Sequence, residues 1–213
     1  MFCLNFLFLL NLFFVIFATP NCTKVVIFSL ENSTNYVDAS DFEQQKQTVI
    51  SLINASGEGD EKIPSGGSTA YSFATPIACS VSSSFFNVIS FLDNYLDDVF
   101  TKGFPCQPQI STKSTLDNYI MNELNVVYYQ RSNGKPILPQ FKRYFVIFTY
   151  ATEETDFANA GISSRLLMPD AKMIPVGMRP GLQSGIIQNF SNDSILFSNS
   201  TTVANQILAE LRC

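Results

Sequence analysis

The sequence predicts an α/β domain with a doubly wound, mostly parallel central sheet and helices on both faces, a Rossmann-type three-layer arrangement. Three observations carry that prediction. Residues 24–30 (KVVIFSL) and 143–149 (RYFVIFT) are short, nearly continuous apolar runs rich in β-branched and aromatic side chains, as in strands buried on both sides. Other segments place their apolar residues at steps of three and four, the helical spacing. The two kinds of segment alternate along the chain, which is the pattern of parallel strands joined by crossover helices.

Each element follows from its local pattern. After the strand at 24–30, residues 41–53 carry Phe42, Val49, Ile50 and Ile53 near helical period, with Asp41 and Glu43 in the first turn where the helix dipole favours acids. Residues 57–67, with Pro64 and four glycines, form a loop before short strands at 69–73 and 77–81. Residues 85–100 give the clearest amphipathic helix, because Val88, Ile89, Leu92, Leu96 and Val99 make one stripe with Asp93, Asp97 and Asp98 off it. A Pro-containing loop at 104–109 precedes a helix over 114–129 through Leu116, Ile120, Leu124 and Val127. The strand at 143–149 is central. A helix at 156–167, a strand at 172–176, a helix at 182–190, a short strand at 194–197 and a helix at 202–211 complete the order.

Composition narrows the function. Of 213 residues 46% are hydrophobic and 15% charged, enough for one ordinary core, so the chain is not disordered throughout. A net charge of −5 offers no basic surface for a polyanion, which excludes nucleic acid as the expected partner and disfavours anionic membranes. The chain has no His and no Trp, so imidazole-based zinc sites, Ser-His-Asp and Cys-His catalysis and His general bases are all excluded.

Residues 1–20 (MFCLNFLFLLNLFFVIFATP) hold no charged side chain and an apolar stretch too short to span a bilayer comfortably, followed by small residues at Ala18 and Thr19. They read as a secretory signal peptide cut between 18 and 21, leaving residues 21–213 as one domain, with no membrane insertion after cleavage. Sequons at Asn21, Asn32, Asn54, Asn189, Asn192 and Asn199 are expected N-glycosylation sites, occupied in part. Loss of Cys3 with the signal leaves Cys22, Cys79, Cys106 and Cys213, an even number with three possible pairings. The favoured one joins Cys22 to Cys213 across the domain ends and Cys79 to Cys106 around an internal segment. In the chain-entropy view a loop of that span is worth up to about 5 kcal/mol.

The element order, with VVIFSLENSTN (25–35) at the end of the first strand and YFVIFTYA (144–151) at a later one, resembles a von Willebrand factor A (vWA) domain over nearly all of residues 21–213. More narrowly, STKSTLDN (111–118) ahead of a helix is similar to secreted vWA domains of nematodes, which often adjoin C-type lectin domains. That resemblance implies a binding module built around a metal-ion-dependent adhesion site (MIDAS) at the carboxyl ends of the strands. There Asp-x-Ser-x-Ser, a Thr and an Asp offer hard oxygen ligands to Mg²⁺. On this chain the first loop reads Glu31, Ser33 and Asn35; the second offers Ser114, with Thr112 and Thr115 beside it; the third carries Tyr150 where the carboxylate is expected.

The implied site is therefore degenerate. A Glu projects one methylene farther than Asp, and a phenol neither neutralises a dication nor orders its water as a carboxylate does. No cofactor and no metal are expected, Mg²⁺ being the ion the resemblance would admit. The sequon at Asn32 would also place a glycan on the first loop. Glu153, Glu154 and Asp156 could lend a stray ligand, but an acidic helix start explains them better.

The function expected from this reading is a secreted, glycosylated vWA-like module that binds an extracellular protein or glycan, in adhesion or defence. Metal-dependent adhesion through a non-standard site is one alternative. A secreted structural or assembly component is another, with Tyr128, Tyr129 and the Pro-containing stretch 136–139 as a contact patch. Its oligomeric state stays open. Enzyme is the least favoured class: Asp93, Asp97 and Asp98 fall on a solvated helix face. Gly66-Gly67-Ser68-Thr69 lacks the Lys of a phosphate loop, and no Gly-x-Gly follows the first strand.

Overall fold

The computed structural model describes residues 23–31, 39–56, 69–74, 116 and 141–211. In chain order these form β1 (Lys24–Ser29), α1 (Ala39–Ser56), β2 (Thr69–Ala74), β3 (Lys142–Thr149), α2 (Glu154–Leu167), β4 (Ala171–Gly177), α3 (Ser184–Ile187), β5 (Ile195–Leu196) and α4 (Ser200–Glu210). The sheet has five strands in the order β2-β1-β3-β4-β5, and all four pairings are parallel. Register runs from Lys24 opposite both Thr69 and Lys142, to Arg143 opposite Ala171 and Val176 opposite Ile195. The doubly wound α/β class is thus the observed one.

Strands β1, β3 and β4 are buried on both faces, and the period of two divides their side chains between two cores. Val26, Phe28, Tyr144, Val146, Phe148, Ile174 and Val176 pack with Phe42, Val49, Leu52 and Ile53 of α1 and Val203, Ala204 and Ile207 of α4. Val25, Ile27, Phe145, Ile147 and Met173 face the other way, against Phe157 and Ala160 of α2, Ile187 of α3, and Phe190 and Leu116. Phe28, Phe145 and Phe148 are among the largest fully buried side chains, each worth about 1.5–3 kcal/mol of apolar burial.

The helices among the described residues match their predicted positions, with one shortened. In α1, Asp41 sits in the first turn, and Ser56 Oγ donates to the Ile53 carbonyl at 2.7 Å at its end. The close packing of α2 depends on Gly161, where a Cβ would lie 2.6 Å from the Asn189 carbonyl oxygen and 2.8 Å from that of Phe190. Asn199 caps α4, its side chain accepting from the Thr202 N–H at 2.9 Å.

The helix expected over 182–190 is only the single turn α3. Gly181 turns the chain with φ +80°, Ser184 and Gly185 are weak helix formers, and the N–H groups of Ile186, Asn189 and Phe190 each reach back three residues. Those tight turns let Ile187 and Phe190 enter the core at 0% and 2% exposure.

The predicted strand at 77–81, the helix at 85–100 and the loop at 104–109 lie outside the described residues, as do the signal segment and residues 114–129 apart from Leu116, which is helical. Among the described residues no helix is long and apolar enough to cross a membrane.

Candidate functional site

In an open parallel sheet, ligands bind at the carboxyl ends of the strands where the winding reverses. Here the reversal lies between β1 and β3, since the chain leaves β1 for β2 on one side and resumes at β3 on the other. The segments leaving Ser29 and Thr149 flank that switch point.

Glu31, two residues past β1, is held there by three hydrogen bonds. Its backbone N–H donates to Gln45 Oε1 at 2.8 Å, and Gln45 Nε2 donates to the Glu31 carbonyl at 2.9 Å. Its carboxylate Oε2 accepts from the backbone N–H of Tyr150, across 119 residues of sequence. All three residues are buried: Gln45 is 0%, Tyr150 4% and Glu31 7% exposed. A buried carboxylate on a backbone N–H is a charge-assisted bond, stronger than one between neutral groups.

The neighbouring groups turn inward in the same way. Thr149 Oγ1 accepts from the Ala151 N–H at 3.1 Å, so this hydroxyl shapes its own turn. The Met178 N–H donates to the Thr149 carbonyl at 2.8 Å, carrying the β3–β4 ladder beyond β4. Asp156, in the first turn of α2, accepts at 3.0 Å from the N–H of Leu116. That bond brings Leu116, two residues past the predicted second loop at Ser114, to this edge.

The structure therefore brings Glu31 and Tyr150 into direct contact. Ser33, Asn35, Ser114, Thr112 and Thr115 lie outside the described residues, as do Cys22, Cys79, Cys106 and Cys213 and the sequons at Asn21 and Asn32. Asn54, Asn189, Asn192 and Asn199 are all exposed. Of these, Asn189 Nδ2 donates to Glu154 Oε1 and to the Gly185 carbonyl, both at 3.3 Å. Glu153 is the residue before α2 and makes no side-chain cap. The enzymatic candidates Asp93, Asp97 and Asp98, and residues 66–68 of the glycine loop, lie outside the described residues.

Sequence reasoning missed Gln45. Its signal was available: a Gln at the third step from Phe42 interrupts the stripe that continues through Val49 and Leu52, and a polar residue on a buried face needs a partner.

Tyr150 is buried, Glu31 Oε2 accepts from its backbone N–H, and Asp156 accepts from that of Leu116. Among the described residues no group of three His, Cys, Asp or Glu side chains gathers as a metal would require.

The opposite, amino edge is ionic. Lys172 at the start of β4 bridges Glu210 at 2.6 Å and Asp193 at 3.4 Å, and also donates to the Glu210 carbonyl at 3.2 Å. Lys24 donates to the Leu211 carbonyl at 3.0 Å, so two lysines cap the carboxyl end of α4, where the dipole favours cations. Burial works against the Lys172 charge, but Glu210 and Asp193 outweigh it and raise its pKa above the ordinary value; the Lys172 hydrogen bond lowers that of Glu210. Burial raises the Tyr144 phenol, partly offset by Lys172. An open groove of about 530 Å³ lies here, bordered by Arg165, Met168, Asp170, Lys172, Asn192 and Asp193. Three of its charged groups pair within the protein: Lys172 and Asp193 as above, and Asp170 with Arg143 at 3.9 Å.

No family model matches the sequence, and no curated protein sequence matches it. The fold does have solved counterparts. Three structures of proximal thread matrix protein 1 from the mussel byssus superpose with TM-scores of 0.53, 0.50 and 0.51 at 11%, 14% and 13% identity. They cover 88–89% of this chain, which spans about half of theirs, 44–47%. The third is described as having a zinc-occupied MIDAS motif. At such identities the likeness is one of fold, and that fold is the doubly wound vWA-like α/β architecture.

Proposed function

We propose that this chain is a secreted vWA-like binding module that captures an extracellular protein or glycan at the carboxyl edge of its sheet, without a divalent cation. The observation that carries the reading is the switch point between β1 and β3, whose flanking segments are fixed by Glu31, Gln45 and Tyr150. A rigid edge of this kind presents a partner with preformed hydrogen-bonding and apolar groups, which lowers the entropy cost of capture. Likeness in fold to a thread matrix protein supports an extracellular setting.

In this reading residues 1–20 are removed as a signal peptide, glycans occupy some of the sequons at Asn21, Asn32, Asn54, Asn189, Asn192 and Asn199, and Cys22–Cys213 and Cys79–Cys106 form disulfides. Expression of the full chain in insect cells tests these points: the product is expected in the medium, beginning near residue 21, losing mass on glycosidase treatment and giving those cystine peptides under non-reducing digestion. The binding role is tested on immobilised extracellular matrix proteins and a glycan array. Capture is expected to persist in chelator and to weaken when Ala151 or Thr152, beside the switch point, is changed to Arg. Loss of capture in chelator would contradict cation-independent binding, and no capture on either surface would contradict the binding role.

The matrix-protein likeness also favours a second reading, a structural component that joins copies of itself. Ile162 and Leu166, 51% and 76% exposed one turn apart on α2, give that contact an apolar surface. Light scattering at high concentration decides it: a single monomeric species would exclude self-assembly.

A further inference from the structure

We infer that the Glu31 carboxylate is a built-in replacement for a bridging cation: it joins the first and third loops of the edge directly, and its extra methylene relative to Asp is what lets it do so. The geometry is specific. A cation bridging the two loops would need an oxygen ligand from each, whereas here one loop offers a carboxylate and the other a backbone N–H, which cannot ligate an ion. The two groups are complementary without an ion between them. Gln45 completes the arrangement, because its amide satisfies both the N–H and the carbonyl of Glu31 and so fixes the backbone from which the carboxylate reaches.

The side chain of Tyr150 supplies the other half of the exchange. It is buried in the same core as the apolar side chains of α1 and α4, so its backbone is anchored by apolar packing, with its N–H turned to Glu31. Replacing the third-loop carboxylate by an aromatic residue thus removes the second negative charge that would repel Glu31, and adds buried apolar area that holds the loop in place. The joined edge is closed at all cation concentrations.

The part of this inference that concerns partner capture rests on the reading of this edge as the binding surface, but the bridge itself is tested without any partner. Amide hydrogen exchange at Tyr150, followed by NMR or fragment mass spectrometry on the full secreted chain, reports the bond directly. In Glu31→Ala the Tyr150 amide is expected to exchange roughly ten- to a hundredfold faster, the range that loss of a charge-assisted bond gives. Glu31→Asp, which keeps the charge but shortens the reach, is expected to behave like Glu31→Ala. Glu31→Gln, which keeps the length and one acceptor oxygen, is expected to exchange more slowly than either. Unchanged Tyr150 exchange in Glu31→Ala, or full protection in Glu31→Asp, would overturn the inference. So would a saturable rise in wild-type unfolding temperature with Mg²⁺, Mn²⁺ or Zn²⁺ that Glu31→Ala removes. Partner capture lost in the wild type under chelator, with the Tyr150 amide still protected, would instead overturn the binding reading alone.

Discussion

The two edges of this sheet are held by different physics. At the carboxyl edge, Glu31, Gln45 and Tyr150 are buried and bond mainly to backbone groups, so their geometry is fixed by direction and shielded from solvent. At the amino edge, Lys172, Asp193 and Glu210 are about one-third exposed and attract one another as charges. Exposed pairs of this kind contribute little and are screened by salt, whereas an unmade buried hydrogen bond carries its full desolvation cost. The edge proposed to bind is therefore the stiffer one, and the ionic edge is a tunable seam between the end of α4 and the sheet.

The carboxyl edge is most sensitive at Gln45. Gln45→Leu keeps the volume but leaves the N–H and carbonyl of Glu31 buried without their partner, and should cost about 3 kcal/mol in chemical denaturation, with little change between low and high salt. Lys172→Ala should cost less, about 1 kcal/mol after allowance for solvent screening, and most of that loss should vanish in 1 M salt. Equal salt dependence in the two variants would erase the distinction between the edges.

The ionic edge also predicts the shape of stability against pH. Glu210 has a lowered folded pKa, so its contribution is present above the ordinary carboxylate range and is lost as pH falls through the lowered value. Lys172 and Tyr144 have raised folded pKa values, so their contributions are present below their ordinary ranges and are lost as pH rises through the raised ones. Glu210→Gln should flatten the acid limb of the unfolding-temperature profile; an unaltered limb would remove Glu210 from the account. The smallest effect is expected at the exposed cap, where Asn199→Ala should cost about 0.5–1 kcal/mol by thermal unfolding.

The parts legible in the sequence were those written in periodicity. The apolar runs of β1 and β3 announced strands buried on both faces, and Phe42, Val49 and Ile53 announced α1, because local pattern and tertiary burial agree there. The apolar spacing over 182–190 overstates the helix, because those residues are set by the demands of the core at Ile187 and Phe190 and not by a helical face. At the candidate site, the resemblance singles out Glu31 and Tyr150, but nothing in the sequence shows the bond between them. A side chain bonding to a backbone N–H 119 residues away leaves no mark in residue spacing. Gln45 was similarly silent except as a polar break in an apolar stripe.

The central claim is that the carboxyl edge is closed without a cation. Thermal unfolding of the full chain, titrated with Mg²⁺, Mn²⁺ and Zn²⁺ against chelator, tests it most directly, since an ion at 100 times its dissociation constant would add about 2.7 kcal/mol to stability. The account predicts one unfolding midpoint across all these conditions. A saturable upward shift with any of the three ions, reversed by chelator and absent in Glu31→Ala, would contradict it.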